Sequence, residues 1–273
     1  MKKGCCILGQ YELRKEAVTL LKKIDTNRVN YIIIHYACES FKLGQTISAV
    51  AVRQFSDGQT QSFSLDKTAQ ILDISPEDIP SRLKEIERKM LDDFFRYVES
   101  HSSHNWIHWN MSSDNFGFKA LEHRYQVLKG SPVVIDDSKK INLSHLFIEL
   151  YDKGYAAHPR LEDLMEMNHI SPKDFYPGFS DDPDVLDETD LLHQRRYKEI
   201  QISCLRKVDV FSNFLNLAID DSLIVKTPKI KRYGLTIKGM LASLNEYFWF
   251  KPVTYFFTFF FGYFLEKVLD RFF

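Results

Sequence analysis

Between Asn30 and Cys38 the chain reads NYIIIHYAC, apolar on both faces and rich in Ile and Tyr. A run without alternation belongs to a central strand covered on both sides. Two further runs, Thr46 to Phe55 and Gln59 to Leu65, flank Ser56-Asp57-Gly58, and Asp-Gly between alternating runs predicts a hairpin. The three segments together predict an antiparallel meander. Ahead of them, Leu13, Ala17, Leu20, Leu21 and Ile24 recur at helical spacing with lysines between, so residues 10–25 read as an amphipathic helix covering the sheet.

Beyond the meander, Pro76 and Pro80 punctuate the chain before a helix from about 81 to 100, which buries Leu83, Ile86, Met90, Leu91, Phe94 and Phe95. A short strand at Asn105 to Trp109, a helix at Asn115 to Leu128 and a strand at Pro132 to Ile135 follow. Helices near 142–151 and 159–168, a Pro- and Asp-rich loop from Pro172 to Glu188, and a long helix from about 190 to 220 complete the body. Three strands, helix, strand, helix, strand, helices is the order of an α/β chain. Its mixed sheet carries the meander on one side and crossover helices on its faces.

Composition narrows the partners. The 273 residues include 36 basic and 37 acidic side chains, a formal charge of −1, so no overall field steers the molecule to nucleic acid or anionic lipid, and a phosphate-binding surface has to be local. Cys5, Cys6, Cys38 and Cys204 show no CxxC spacing, which suits a reduced, cytosolic-facing body. The first ten residues lack the apolar core of an export signal. The opposite end reads YFWFKPVTYFFTFFFGYFLEKVLDRFF from Tyr247, unbroken in apolar character from Val253 to Leu265. A spanning helix needs roughly 20 apolar residues; counting 247–265 the segment approaches that length if Lys251 snorkels and Pro252 restarts the helix. A C-terminal membrane anchor with the body on the cytoplasmic face, an in-plane interfacial helix, and a contact with a partner subunit remain open. Lys226, Lys229, Lys231, Arg232 and Lys238 just before it suit attraction to anionic lipid.

Chemistry is carried by acids. Glu39 closes the Asn30–Cys38 run, Asp114 lies in His108-Trp109-Asn110-Met111-Ser112-Ser113-Asp114, and Asp209 lies on the last long helix, while position 37 is Ala. Carboxylates gathered from a strand end and distant helices hold divalent metal against a phosphodiester. Each residue also has a plainer role: Asp114 as a helix N-cap, His108 and Asn110 as strand-end residues bonding loop backbone, His158 as a helix-start residue before Pro159.

In order and spacing, residues 30–220 resemble the DEDD family of 3′-to-5′ exonucleases, which has the ribonuclease-H-like fold. That family's first strand ends in Asp-x-Glu, where this chain has Ala37-Cys38-Glu39. Its His-Asn-x-x-Phe-Asp motif is similar to His108 through Phe116. Its apolar strand ending in Asp, with a later His-x-Leu-x-x-Leu, is similar to Val133-Val134-Ile135-Asp136 and to His158 through Leu164. Its last Asp falls at Asp209, with no His or Tyr in the general-base position.

The resemblance implies Mg or Mn, if the site is active, held by Glu39, Asp114, Asp136 and Asp209, with Glu39, Asp114 and Asp209 catalytic and His108, Asn110 and His158 against substrate. Loss of the bridging acid at Ala37 implies weakened or absent catalysis. Two functions are therefore expected. One is a membrane-associated nuclease relative that binds nucleic acid or nucleotide, an architecture that would suit phage defence. The other is a non-catalytic sensor or scaffold that oligomerises or binds a protein partner through its tail. The domain division expected is 1–29 as an extension, 30–222 as the nuclease-like body, 223–245 as a basic connector and 246–273 as a hydrophobic helix.

Overall fold

The computed structural model describes residues 9–40 and 44–233. Helix α1 (Gln10–Thr26) precedes strands β1 (Tyr31–Cys38), β2 (Ile47–Gln54) and β3 (Thr60–Ser64). Helices α2 (Leu65–Ile71) and α3 (Leu83–Ser100), strand β4 (Asn105–His108), α4 (Phe118–Val127) and β5 (Lys140–Asn142) follow. The described chain ends in α5 (Leu143–Tyr151), α6 (Arg160–Met167), α7 (Glu188–His193), α8 (Tyr197–Ile219) and α9 (Lys229–Arg232). The described residues fall into two compact units: 20–146 with 157–224, and 9–19 with 147–156 and 225–233. In the second, Arg14 Nη1 donates to Leu150 O at 2.5 Å and Lys226 N to Tyr155 O at 2.9 Å.

The larger unit contains a five-stranded mixed sheet in the order β3-β2-β1-β4-β5. Strands β1, β2 and β3 form the expected antiparallel meander, and β1–β4 and β4–β5 are parallel. Every residue of β1 is buried, as its two-sided apolar run requires. At the hairpin, Gly58 takes φ +74°, where a side chain would be strained, and donates to Gln54 O at 3.1 Å. Ile32, Ile34 and Tyr36 point to one face, packed with Ile86, Met90 and Phe94 of α3 and with Phe118, Leu121 and Tyr125 of α4. Alternation sends His35 and Ala37 to the other face, which α8 covers by packing on β1 and β2.

Several elements differ from expectation. No strand forms over 132–135: Pro132 has no N–H to give a ladder, Val134 is exposed, and the final strand is β5, reached after Asp136 accepts from Ser138 N at 2.8 Å. Helix α2, not expected, starts where Ser64 Oγ accepts from Lys67 N at 3.2 Å. The long C-terminal helix of the body is broken between α7 and α8, where Arg195 adopts φ +60°. Among the described residues no helix is long and apolar enough to cross a membrane. The hydrophobic helix expected over 246–273 lies outside the described residues, as does the connector beyond 233.

Candidate functional site

The carboxyl ends of β1 and β4 are neighbours, yet the chain leaves β1 toward β2 and leaves β4 toward β5. Such a reversal opens a crevice at the strand ends, the usual ligand position in open α/β sheets. A cleft of about 240 Å³ lies there, lined by His35 to Cys38, Trp109, Asn110, Phe116, Phe175, Glu188, Lys207 and Phe211 among others. Local backbone explains why consecutive residues reach it. The β1–β2 register slips between Ala37 and Cys38, which pair with Ala49 and Ile47, and the skipped Ser48 donates its hydroxyl to Ala37 O at 3.2 Å. Slips of this kind re-aim side chains at strand ends. After β4, Asn110 takes φ +53°, a left-handed value that Asn tolerates, and its N–H donates to Asn142 Oδ1 at 3.2 Å.

The floor of the cleft holds a buried ion pair. Lys207 Nζ lies 2.7 Å from Glu188 Oε1, each side chain only 3% exposed. Ser203, one turn before Lys207 on α8, donates its hydroxyl to the same oxygen at 2.7 Å, and Lys207 also sits 5.6 Å above the Phe175 ring. The loop before α7 is tied to this group: Tyr176 N donates to Ser203 Oγ at 3.3 Å and Glu188 N to Pro177 O at 2.9 Å. Burial raises the Glu188 pKa while Lys207 and Ser203 pull it back. The ammonium and the hydroxyl thus neutralise and solvate a carboxylate that burial alone would disfavour.

His35 stands beside this pair with its ring edge-on to Phe211 at 5.8 Å between centroids, and Phe211 stacks on Trp109 at 5.7 Å and 15°. Neither ring nitrogen of His35 has a hydrogen-bond partner among the described residues, although both are buried. Burial first, and then the charge of Lys207, hold its pKa well below the ordinary value, so the imidazole is neutral at pH 7. A buried polar group left unpaired costs about 1–3 kcal/mol.

Of the candidate catalytic, metal-holding and substrate residues named from the sequence, only Asn110 lines this cleft, together with Ala37 at the position of the missing acid. Asp209 faces elsewhere, paired to Arg206 at 2.7 Å and Arg53 at 3.7 Å. Two helical residues apart is a turn of about 200°, so with Lys207 in the cleft Asp209 points away. Asp114 is exposed and paired with Lys119 at 2.8 Å; it caps nothing, because α4 starts after Gly117. Asp136 caps the turn at Ser138, and Glu39 follows the slipped register, close enough to Glu87 and Arg124 to interact with their charges. His108 is buried, accepts from Met111 N at 3.0 Å through Nδ1, and lines a separate polar hollow with Lys119, Asp137 and Lys140. His158 is exposed just before α6.

Glu39, Asp114, Asp136 and Asp209 therefore form no metal cluster; among the described residues the one group of possible donors is His35, Glu188 and Cys204, with ligating atoms within 4.8 Å of one another. A nitrogen, oxygen and sulfur set does not suit Mg or Mn, which take oxygen ligands. Glu188 is already engaged by Lys207, and burial pushes the Cys204 thiol well up, against the thiolate that a metal requires. The residues that build the cleft, Glu188, Lys207, His35 and Phe211, are not among the candidates that the sequence pattern marks out. Their available signal was Lys207 on the stripe Cys204, Val208, Phe211, since a lysine on an apolar helix face must find a buried partner. In comparison with known proteins, the chain matches no family model, no curated protein and no solved structure.

Proposed function

We propose that the protein is a nuclease-like binding module of ribonuclease-H-like fold. It holds nucleic acid or a nucleotide at the β1–β4 strand ends without hydrolysing it, and its aromatic C-terminal run places it at a membrane. The observation that carries this reading is the Lys207–Glu188 pair beside Ala37. Two-metal hydrolysis requires several carboxylates sharing cations; here the buried carboxylate of the cleft is matched by the protein's own ammonium. In support of the fold reading, an antiparallel meander followed by two parallel strands in the order 3-2-1-4-5 is the arrangement of that fold.

The test incubates full-length protein and Mg or Mn with end-labelled single-stranded DNA and RNA, and measures binding of the same oligonucleotides by anisotropy. Binding with no degradation above the buffer blank is expected. Robust metal-dependent degradation abolished by Glu39→Gln or Asp114→Asn overturns the proposal. Membrane association is read separately: retention through high-salt and carbonate washes supports it. A soluble oligomer that dissociates on deletion of 247–273 replaces it with a subunit interface.

A further inference from the structure

We propose that the cleft at the ends of β1 and β4 takes one planar nitrogen heterocycle, a purine or pyrimidine base. Its faces would lie among Trp109, Phe116, Phe175 and Phe211, and its polar edge on His35. The inference rests on the reading above and names what enters the site.

Three observations converge on that class. The first is the aromatic lining: four rings from three separate segments border a cleft of about 240 Å³, room for one ring system rather than a dinucleotide. Stacking on aromatic side chains accepts any base, since every base has a π-face. The second is His35, a side chain 8% exposed whose ring nitrogens lack partners among the described residues and which borders the cleft. A neutral imidazole offers one donor and one acceptor. A base edge, with ring nitrogens and exocyclic amino or carbonyl groups, can pair with whichever of the two faces it, as donor or as acceptor, whereas a hydrocarbon ring would leave both nitrogens unpaired. The third is charge. Among the described residues Lys207 is the one lysine or arginine in the lining, and it is already closed on Glu188, so a phosphate pushed into the cleft would meet a carboxylate whose counter-charge is spent. The cleft selects the uncharged part of a nucleotide and leaves the phosphate toward solvent.

Calorimetric titration of the full-length protein with adenosine, guanosine, cytidine and uridine, and with ribose 5-phosphate as a base-free probe, tests this. At least one nucleoside is expected to bind with one-to-one stoichiometry while ribose 5-phosphate does not. His35→Phe, which keeps a flat ring and removes both nitrogens, is expected to weaken the nucleoside about tenfold. If that variant does not fold, the imidazole nitrogen resonances of His35 in the unaltered protein provide the readout, and they are expected to shift on nucleoside addition. Oligonucleotide binding without any nucleoside binding at millimolar concentration overturns the base pocket and leaves the broader function standing; failure of both removes both. Ribose 5-phosphate binding as tightly as a nucleoside also overturns the inference, since the cleft would then be reading phosphate.

Discussion

Lys207→Met removes the ammonium of the cleft and keeps most of the side chain's length and apolar stem. Glu188, 3% exposed, then loses its 2.7 Å counter-ion and retains only the Ser203 hydroxyl. Breaking one side of a buried pair costs about 3–5 kcal/mol. The low end is expected, because the carboxyl can take up a proton and Ser203 still donates. The pH dependence has a definite sign. With Lys207 gone, the folded-state pKa of Glu188 lies still further above its ordinary value, so the folded state retains a proton that the unfolded state has lost. Stability of the variant therefore falls as pH rises above about 4.5, and the deficit is larger at pH 7 than at pH 5. In urea unfolding followed by circular dichroism, a loss of about 3 kcal/mol moves the midpoint down by roughly 1 M at a slope near 3 kcal/mol/M. Lys207→Met/Glu188→Leu replaces the pair by apolar groups and leaves Ser203 its contact with Tyr176 O at 3.3 Å, so the double variant is expected to recover to within about 1 kcal/mol of the wild type. A single variant within 1 kcal/mol of wild type at pH 7, or a double variant no better than the single, refutes the argument.

Arg124→Met is expected to cost about 3–5 kcal/mol, because Glu87, fully buried, would keep only the Ile47 N–H and lose a two-pronged contact that includes Arg124 Nε to Oε1 at 2.8 Å; chemical denaturation measures it, and a loss under 1 kcal/mol counts against it. Gly117→Ala places a Cβ 2.5 Å from Met111 O, a backbone atom, so the loop leading from β4 to α4 must shift; a loss of about 1–3 kcal/mol in thermal melting is expected, and an unchanged melting temperature rejects it. Burial, and secondarily the charge of Lys140, lower the His108 pKa from 6.5 to about 4. The unfolded state thus binds the proton first, stability is full above pH 6.5 and falls as pH drops toward 4, by up to roughly 3 kcal/mol. His108→Asn is expected to flatten that part of the pH profile, and an equal acid loss in both proteins argues against His108 as its source.

The meander was legible because two local signals agreed: a two-sided apolar run for β1 and Asp-Gly at the turn into β3. Helix α3 was legible for a similar reason, its apolar stripe from Leu83 to Phe95 matching the face that reaches Ile32, Ile34 and Tyr36. Strand β5 was not. Val133-Val134-Ile135 has stronger strand character than Lys140-Ile141-Asn142, yet the sheet edge pairs Lys140 with Trp106 and Ile141 with Ile107. An edge strand of three residues is selected by where the chain returns after α4 and by the Asp136–Ser138 turn, and propensity over three residues is too small a term to compete.

The site failed to show for a different reason, which is the phase of α8. Order along the chain placed an acid on that helix and made Asp209 the natural partner for Glu39, but which of two residues so close in sequence enters the cleft depends on the rotation of the helix on the sheet. Phe211, Phe214, Val208 and Cys204 are fully buried, and the face they define carries Lys207 inward and turns Asp209 toward Arg53. A lysine so placed is incompatible with an unsatisfied interior, so its partner follows from burial: an acid must arrive from elsewhere, and Glu188 does so at the start of α7, delivered by a loop with little periodic signal of its own. The same phase sets the Phe211 ring edge-on to His35. One packing choice therefore produces the matched charges, the aromatic wall and an imidazole without a partner among the described residues, and it turns toward Arg53 the acid that a cation site would have needed.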